Sequence, residues 1–385
     1  MDGFLKVLNM QNAADISAIK SNIMQQRQVT TKCTSYFRGL SDGVVYNVTY
    51  RVKHVVKAIA YDIQLLYGNF YHSPSDAPFD MAGPNEITIK ASIELSSGTI
   101  YPLTFNGADS VTIKPGGTIA TDPISLYLSV DDVIYTRTYV SVTSGQKFPT
   151  GQTTLASDGE GETSGDITVS GAYTSNAKFA YAPFAIIGKT KSNSKGVYIF
   201  GDSISVGTGD SPTAIGYIAK GVMNTLPYST MGLPSDVAYN AVNPYIYRKL
   251  TTKYCTHAIV EYGINDLSKG QSLSQIQNNL IKIWTELKNR GLKVYQCTIT
   301  PKTTSTDSWA TVANQTSFGQ ESVRVQLNNW IRTTPSVLDG YFEIADLAES
   351  ARNSGKWKAG YTTDGTHPNQ TGHVTLAAGI DIAKL

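Results

Sequence analysis

The sequence predicts two domains, an all-β sandwich followed by a doubly wound α/β domain. Three observations carry this expectation. The chain has 385 residues, which is long for one ordinary domain. Between about 41 and 142, short runs of alternating apolar and polar residues are separated by Gly, Pro, Asn and Asp, the pattern of strands with one wet face. After Gly196, apolar runs of strand length alternate with stripes at helical spacing, which implies βαβ units around a parallel sheet.

Composition narrows the class. With 41% apolar and 16% charged residues the chain is a core-forming globular protein. A net charge of +2 gives no reason to expect nucleic acid or an anionic membrane surface as partner. No apolar run approaches a membrane span. The opening residues, Met1-Asp2-Gly3-Phe4-Leu5, lack a basic start and an apolar core, so a Sec-type signal is not expected there; a secreted, a cytoplasmic and a phage-virion setting all stay open. Three cysteines, Cys33, Cys255 and Cys297, are too scattered for a disulfide framework, and no spacing suggests a structural metal. The 23 tyrosines suit either saccharide-contacting surfaces or ordinary strands.

In chain order, residues 13–26 predict a helix with Ile16, Ile19 and Ile23 on one stripe, which would pack on the following domain or seed a homo-oligomer. Strands are expected where Val44, Tyr46, Val48, Tyr50 and Val52 alternate, and over 58–66, 86–95, 99–105, 110–113, 124–130 and 133–142. His54 and His72 are isolated and read as structural. Residues 143–178, rich in Gly, Ser and Thr, read as a surface loop or linker. Residues 181–188 read as a packed connection, placing a domain boundary near 190. Beyond it, strands are expected over 197–200, 258–262, 292–299 and 341–347. Helices are expected on the stripes Leu273/Ile276/Leu280/Ile283/Leu287 and Val323/Leu327/Trp330/Ile331, and over 372–384.

The chemistry gathers at the carboxyl ends of these strands, where open α/β sheets bind ligands. The strand 197–200 runs into Gly201-Asp202-Ser203 and then a stretch that could begin a helix. That turn would expose the Ser203 hydroxyl as a nucleophile, with its own N–H facing a developing oxyanion. Tyr262-Gly263-Ile264-Asn265-Asp266 follows the second strand, so the Asn265 amide belongs near the same edge as a further oxyanion donor; the competing use is a helix-capping loop. Asp364-Gly365-Thr366-His367 can place a carboxylate against one ring nitrogen while the other faces Ser203, or can simply be a capped turn.

Taken together, Gly201-Asp202-Ser203, Gly263-x-Asn265-Asp266 and Asp364-x-x-His367, in this order over about 195–385, resemble the SGNH, or GDSL, hydrolase family. Arg324 to Ile331, with Asn328 and Trp330, also resembles a helix these enzymes carry. The resemblance implies a flavodoxin-like three-layer domain over 191–385. Ahead of it would lie a jelly-roll-like sandwich with linker over 41–190, and a helical or extended segment over 1–40. It implies Ser203 as nucleophile, His367 as base and Asp364 as its orienting carboxylate. The oxyanion hole would be the N–H groups of Ser203 and Gly232 and the Asn265 amide, Gly232 being the best-spaced candidate for the family's second glycine. No metal or cofactor is implied. Asp202 and Asp266 would hold loops, and His257 and His373 would be structural. The segment 303–319 is polar, with Trp309 and Phe318 its only aromatics, and should shape the pocket. A sandwich ahead of such a domain is similar to several carbohydrate esterases, so an acetylated glycan is the expected substrate. A short-chain lipid or aryl esterase, or a thioesterase, is the alternative. A glycan-binding or phage-tail structural module on a hydrolase scaffold is a second alternative, of a different class.

Overall fold

The computed structural model describes residues 24–32, 37–73, 80–151, 153–242 and 247–385. The chain forms two compact units, Met1–Gly196 with Leu226–Ser229, and Val197–Thr225 with Thr230–Leu385.

The first unit is strand-rich and antiparallel. Its main strands are β1 Met24–Gln28, β2 Asn47–Val55, β3 Tyr61–Gly68, β4 Ile87–Leu95, β5 Ile100–Leu103, β6 Val111–Ile113, β7 Thr118–Ala120, β8 Val133–Ser141, β9 Gly161–Ser164 and β10 Ala185–Lys191. They form a four-stranded sheet, β1-β10-β3-β7, and a six-stranded one, β9-β2-β8-β4-β5, with β6 paired to β4. Alternation sets the buried face: Val48, Tyr50, Val52 and His54 of β2 are buried, with Arg51 and Lys53 between them half-buried. The Tyr67 hydroxyl of the smaller sheet meets Thr138 Oγ1 of the larger at 2.8 Å. Tyr67, Tyr181, Phe37 and Phe70 are fully buried together, so these tyrosines serve the core.

Several expectations change here. The helix expected over 13–26 lies mainly outside the described residues, and its last three residues belong to β1, paired with β10. Val44 and Tyr46 stand exposed ahead of β2. Residues 124–130 make single bridges at Ile124 and Leu128 in place of a strand. The stretch 143–178 is built into the unit. Its carbonyls at Gly159 and Ile167 accept from Arg51 Nη1 and from Arg137 Nη1, and its Glu160 is buried against Lys32. Small polar residues hid this, because the stretch contributes backbone acceptors to buried cations, which leaves no apolar periodicity.

The second unit is a parallel α/β layer structure. Strand β11 (Val197–Gly201) pairs in parallel with β13 (His257–Glu261), β13 with β14 (Lys293–Cys297), and β14 with β15 (Gly340–Phe342). A short strand β12 (Tyr228–Thr230) takes the edge beside β11, giving the order β12-β11-β13-β14-β15. Chain order therefore reverses between β11 and β13, which makes the crevice beyond their carboxyl ends the switch point of the sheet. Val197 to Phe200 are each fully buried, as a strand covered on both faces requires; burying each such side chain contributes roughly 1.5–3 kcal/mol. Helix α1 (Gly216–Val222) and α4 (Gln370–Ala377) meet through Tyr217 stacked on His373. Helix α2 (Leu273–Asn289) and α3 (Glu321–Arg332) meet through Trp284 stacked on Trp330. From Ile276 onward the predicted stripe on α2 is buried, and a reciprocal Ser272/Gln275 capping box starts the helix.

The differences are at element ends. After β11 the chain runs in turns to Gly209, and α1 starts only at Gly216. The expected strand 341–347 is three residues, followed by the short helix Ala345–Ala348. Among the described residues no helix is long and apolar enough to cross a membrane.

Candidate active site

Ser203 sits two residues beyond β11, buried except for about 7% of its surface. Its Oγ lies 2.8 Å from His367 Nε2, and His367 Nδ1 lies 2.6 Å from Asp364 Oδ2. The three residues form one hydrogen-bonded line at the switch point. Asp364 and His367 share a single turn. Asp364 Oδ1 accepts the backbone N–H of Thr366 and of His367, both at 2.8 Å, which fixes the carboxylate before it meets the ring. Gly365 inside that turn has φ +76°, and a Cβ there would lie 1.9 Å from the Thr303 carbonyl oxygen, so only glycine fits. Burial raises the Asp364 carboxyl, but the bonds from the His367 ring and from the His367 and Thr366 N–H groups outweigh it and hold it below the ordinary range.

Gly232 is pressed against the nucleophile turn. A Cβ on it would lie 2.4 Å from Ser205 Oγ and 2.6 Å from Val206 Cγ1. The flanking residues bind along β11, Met231 N–H to the Ile199 carbonyl and Leu233 N–H to that of Gly201. Among the described residues, neither the Ser203 nor the Gly232 N–H has a protein acceptor. Asn265 is the second residue of the short helix Ile264–Ser268 after β13. Its Nδ2 donates to the Asp236 carbonyl oxygen at 2.9 Å and, over a longer 3.3 Å, to Asp202 Oδ2.

The other residues singled out in the sequence hold structure. Asp202 Oδ1 accepts from Ile204 N–H at 2.9 Å, and Asp266 Oδ2 from Ala238 N–H at 2.9 Å. Burial pushes Asp266 up to about 6, against the bonds from Ala238 and Tyr239. His373 donates its Nε2–H to the Thr208 carbonyl oxygen at 3.0 Å, and burial lowers its pKa. His257 Nδ1 pairs with Thr256 Oγ1. Cys255 and Cys297 are buried thiols outside any disulfide. No cluster of three or more His, Cys, Asp or Glu side chains fit to hold a metal occurs among the described residues.

Sequence reasoning missed two groups. Glu261, the last residue of β13, is buried with its carboxyl against that of Asp202; burial raises both, the Asp202 charge raises Glu261 further, and the hydrogen bond with Glu261 offsets part of the rise at Asp202. A lone acid inside the run Ala258-Ile259-Val260-Glu261-Tyr262 was the available signal. The second group is Arg248, Asp236 and Tyr262, a buried network behind Gly232. Its residues are scattered along the chain, so no spacing gives it away.

A serine, a histidine and a carboxylate in line at the switch point of a parallel sheet can carry out acyl transfer. The GDSL-like Lipase/Acylhydrolase family model matches residues 199–374. Solved structures similar to this chain include a GDSL-like lipase from Bacteroides thetaiotaomicron, 14% identical, covering 49% of this chain and 87% of that one, with TM-score 0.36. The psychrotrophic esterase EstA from Pseudoalteromonas is 14% identical, covering 48% and 94%, with TM-score 0.36. A variant of an acetyl-xylooligosaccharide esterase from Geobacillus is 15% identical, covering 48% and 91%, with TM-score 0.36. Among curated proteins, none matches the chain.

Proposed function

We propose that this ester hydrolase is a serine esterase that removes short acyl groups, O-acetyl above all, from a carbohydrate. The observation that carries the chemistry is the 2.8 Å contact of Ser203 Oγ with His367 Nε2, on a ring whose Nδ1 is held by Asp364. In this reading His367 takes the Ser203 proton as Oγ attacks the ester carbonyl. The carbonyl oxygen becomes an oxyanion that the N–H groups of Ser203 and Gly232 and the Asn265 amide stabilise. For Asn265 this means exchanging its long contact to Asp202 for the oxyanion while keeping Asp236. Collapse of the intermediate expels the alcohol, which takes the proton from His367. A water, deprotonated by His367, then frees the acid and restores Ser203.

The substrate class rests on what borders the Asp364–His367 turn. Strands Thr303–Ser305 and Gln315–Ser317 form a polar hairpin. Its Trp309 is half-buried, and the Trp309 ring lies 2.7 Å from where a Cβ on Gly365 would stand. An aromatic face among hydroxyl and amide groups suits a sugar ring better than an acyl chain. The first unit, in this reading, is a two-sheet sandwich of jelly-roll type serving as an accessory domain. The test is acetate release from acetylated xylan and acetylated cell-wall glycan, compared with hydrolysis of long-chain acyl esters. Release from glycans, abolished in S203A, is expected. Preference for long acyl chains would overturn the substrate assignment, and undiminished turnover by S203A would overturn the mechanism.

A further inference from the structure

Arg248 is fully buried, and its guanidinium bonds to residues that adjoin the candidate oxyanion donors. Nε and Nη2 donate to the Met231 carbonyl oxygen at 3.0 and 2.7 Å. Nη1 pairs with Asp236 Oδ2 at 2.5 Å, and Nη2 also reaches the Tyr262 hydroxyl at 2.7 Å. Tyr262 in turn donates to Asp236 Oδ2 at 2.8 Å. The guanidinium lies 4.5 Å over the Phe200 ring, at the end of β11.

The Met231 carbonyl and the Gly232 N–H belong to one peptide group, and in a trans peptide they point in opposite directions. A cation that holds the carbonyl from behind therefore fixes the direction of the N–H in front. It also polarises the amide, since two charge-assisted bonds to the oxygen draw electron density from the nitrogen and strengthen its N–H as a donor. Burial keeps that charge unscreened. The same network reaches the second donor, because the Asp236 carbonyl oxygen accepts the Asn265 amide at 2.9 Å. A buried ion pair is a poor source of stability compared with apolar packing, so its placement behind these donors calls for a functional account.

We propose that Arg248 is a positioning residue of the oxyanion hole, fixing and polarising the Met231–Gly232 peptide and, through Asp236, setting the Asn265 amide. The proposal rests on the serine-esterase reading. Arg248 acts only where negative charge develops on the carbonyl oxygen, so its loss lowers kcat and leaves KM nearly unchanged.

The test compares R248K and Y262F with wild type on 4-nitrophenyl acetate, together with inhibition by a boronic acid, which forms a tetrahedral anion on Ser203. Lysine keeps the charge and loses the two-pronged hold on Met231. R248K should lose about 30- to 100-fold in kcat with KM within about twofold, and the boronate Ki should rise in step with the fall in kcat/KM. Y262F removes one hydroxyl from the network, leaves the ion pair intact, and should lose about three- to tenfold in the same pattern. If R248K does not fold, Y262F decides. Wild-type kcat in Y262F, or a loss that appears in KM with an unchanged boronate Ki, overturns the proposal. A wild-type protein that hydrolyses no ester, or an S203A variant that hydrolyses them equally well, is a different failure and removes the esterase reading instead.

Discussion

Replacing Asp364 by asparagine asks whether this turn enforces one proton position on His367. Asp364 Oδ1 accepts two backbone N–H groups at 2.8 Å, and Oδ2 faces His367 Nδ1 at 2.6 Å. In D364N the amide oxygen must take the Oδ1 place, because an NH₂ there would confront two N–H donors. The NH₂ is then turned toward Nδ1 and must donate to it. Nδ1 becomes an acceptor, the ring proton moves to Nε2, and Ser203 loses its base. In a serine-protease triad with a buried aspartate the same change lowers kcat by about 10⁴. Here the Asp364 side chain is 51% exposed, so the part due to charge on the imidazolium is screened while the tautomer part is not. The expected loss is about 10³-fold in kcat, or ~4 kcal/mol of barrier. The assay is the initial rate on 4-nitrophenyl acetate with melting temperature as the folding control. A D364N variant within about threefold of wild-type kcat/KM would refute the reasoning.

Further outcomes follow from other parts of the molecule. N265A should lose about 10²-fold in kcat at nearly constant KM; an unchanged kcat in steady-state assays removes Asn265 from the hole. The buried Glu261 carboxyl, raised by burial and by Asp202, holds its proton in the folded state longer than in the unfolded one. The Glu261 contribution to the second unit's stability is therefore fullest at low pH and declines as pH rises above the ordinary carboxyl range; E261Q, which cannot ionise, should flatten that decline in calorimetric scans, and an equally steep decline speaks against the acid pair. Burial lowers His54 to about 3, so below pH ~6.5 the unfolded chain takes a proton that the folded chain refuses. The first unit should lose about 2 kcal/mol between pH ~6.5 and ~5, a slope that H54Q should remove in urea titrations.

The sequence made the second unit largely legible because its signals are local. β11 and β13 are apolar runs that end in Gly201 and Tyr262-Gly263, α2 shows one stripe, and Asp364 and His367 lie close enough to read as a pair. What stayed hidden depends on contacts between distant segments. Tyr-Arg-Lys-Leu around Arg248 reads as a solvated basic run, yet folding buries the guanidinium against carbonyls 17 and 47 residues away in the chain. The turns after Ser203 also escaped, since a stretch with helix-compatible composition is broken at Gly207 and Gly209, whose φ values are +86° and +89°. In the first unit, residues 143–178 looked like a linker for want of apolar periodicity, whereas their backbone oxygens complete the surroundings of Arg51 and Arg137.

The Asp364–His367 turn is a prefabricated part. Its acid, its imidazole and the amides that align them are all supplied within four consecutive residues, so the dyad comes out of the local chain whole. Only one joint, Oγ of Ser203 to Nε2 of His367, spans 164 residues and has to be closed by the fold. Loosening of the C-terminal segment should thus open the site at a single hinge and leave the aspartate–histidine pair intact. Such an enzyme would fail by disengaging, as a clutch does, and would recover full activity once that one contact reseats.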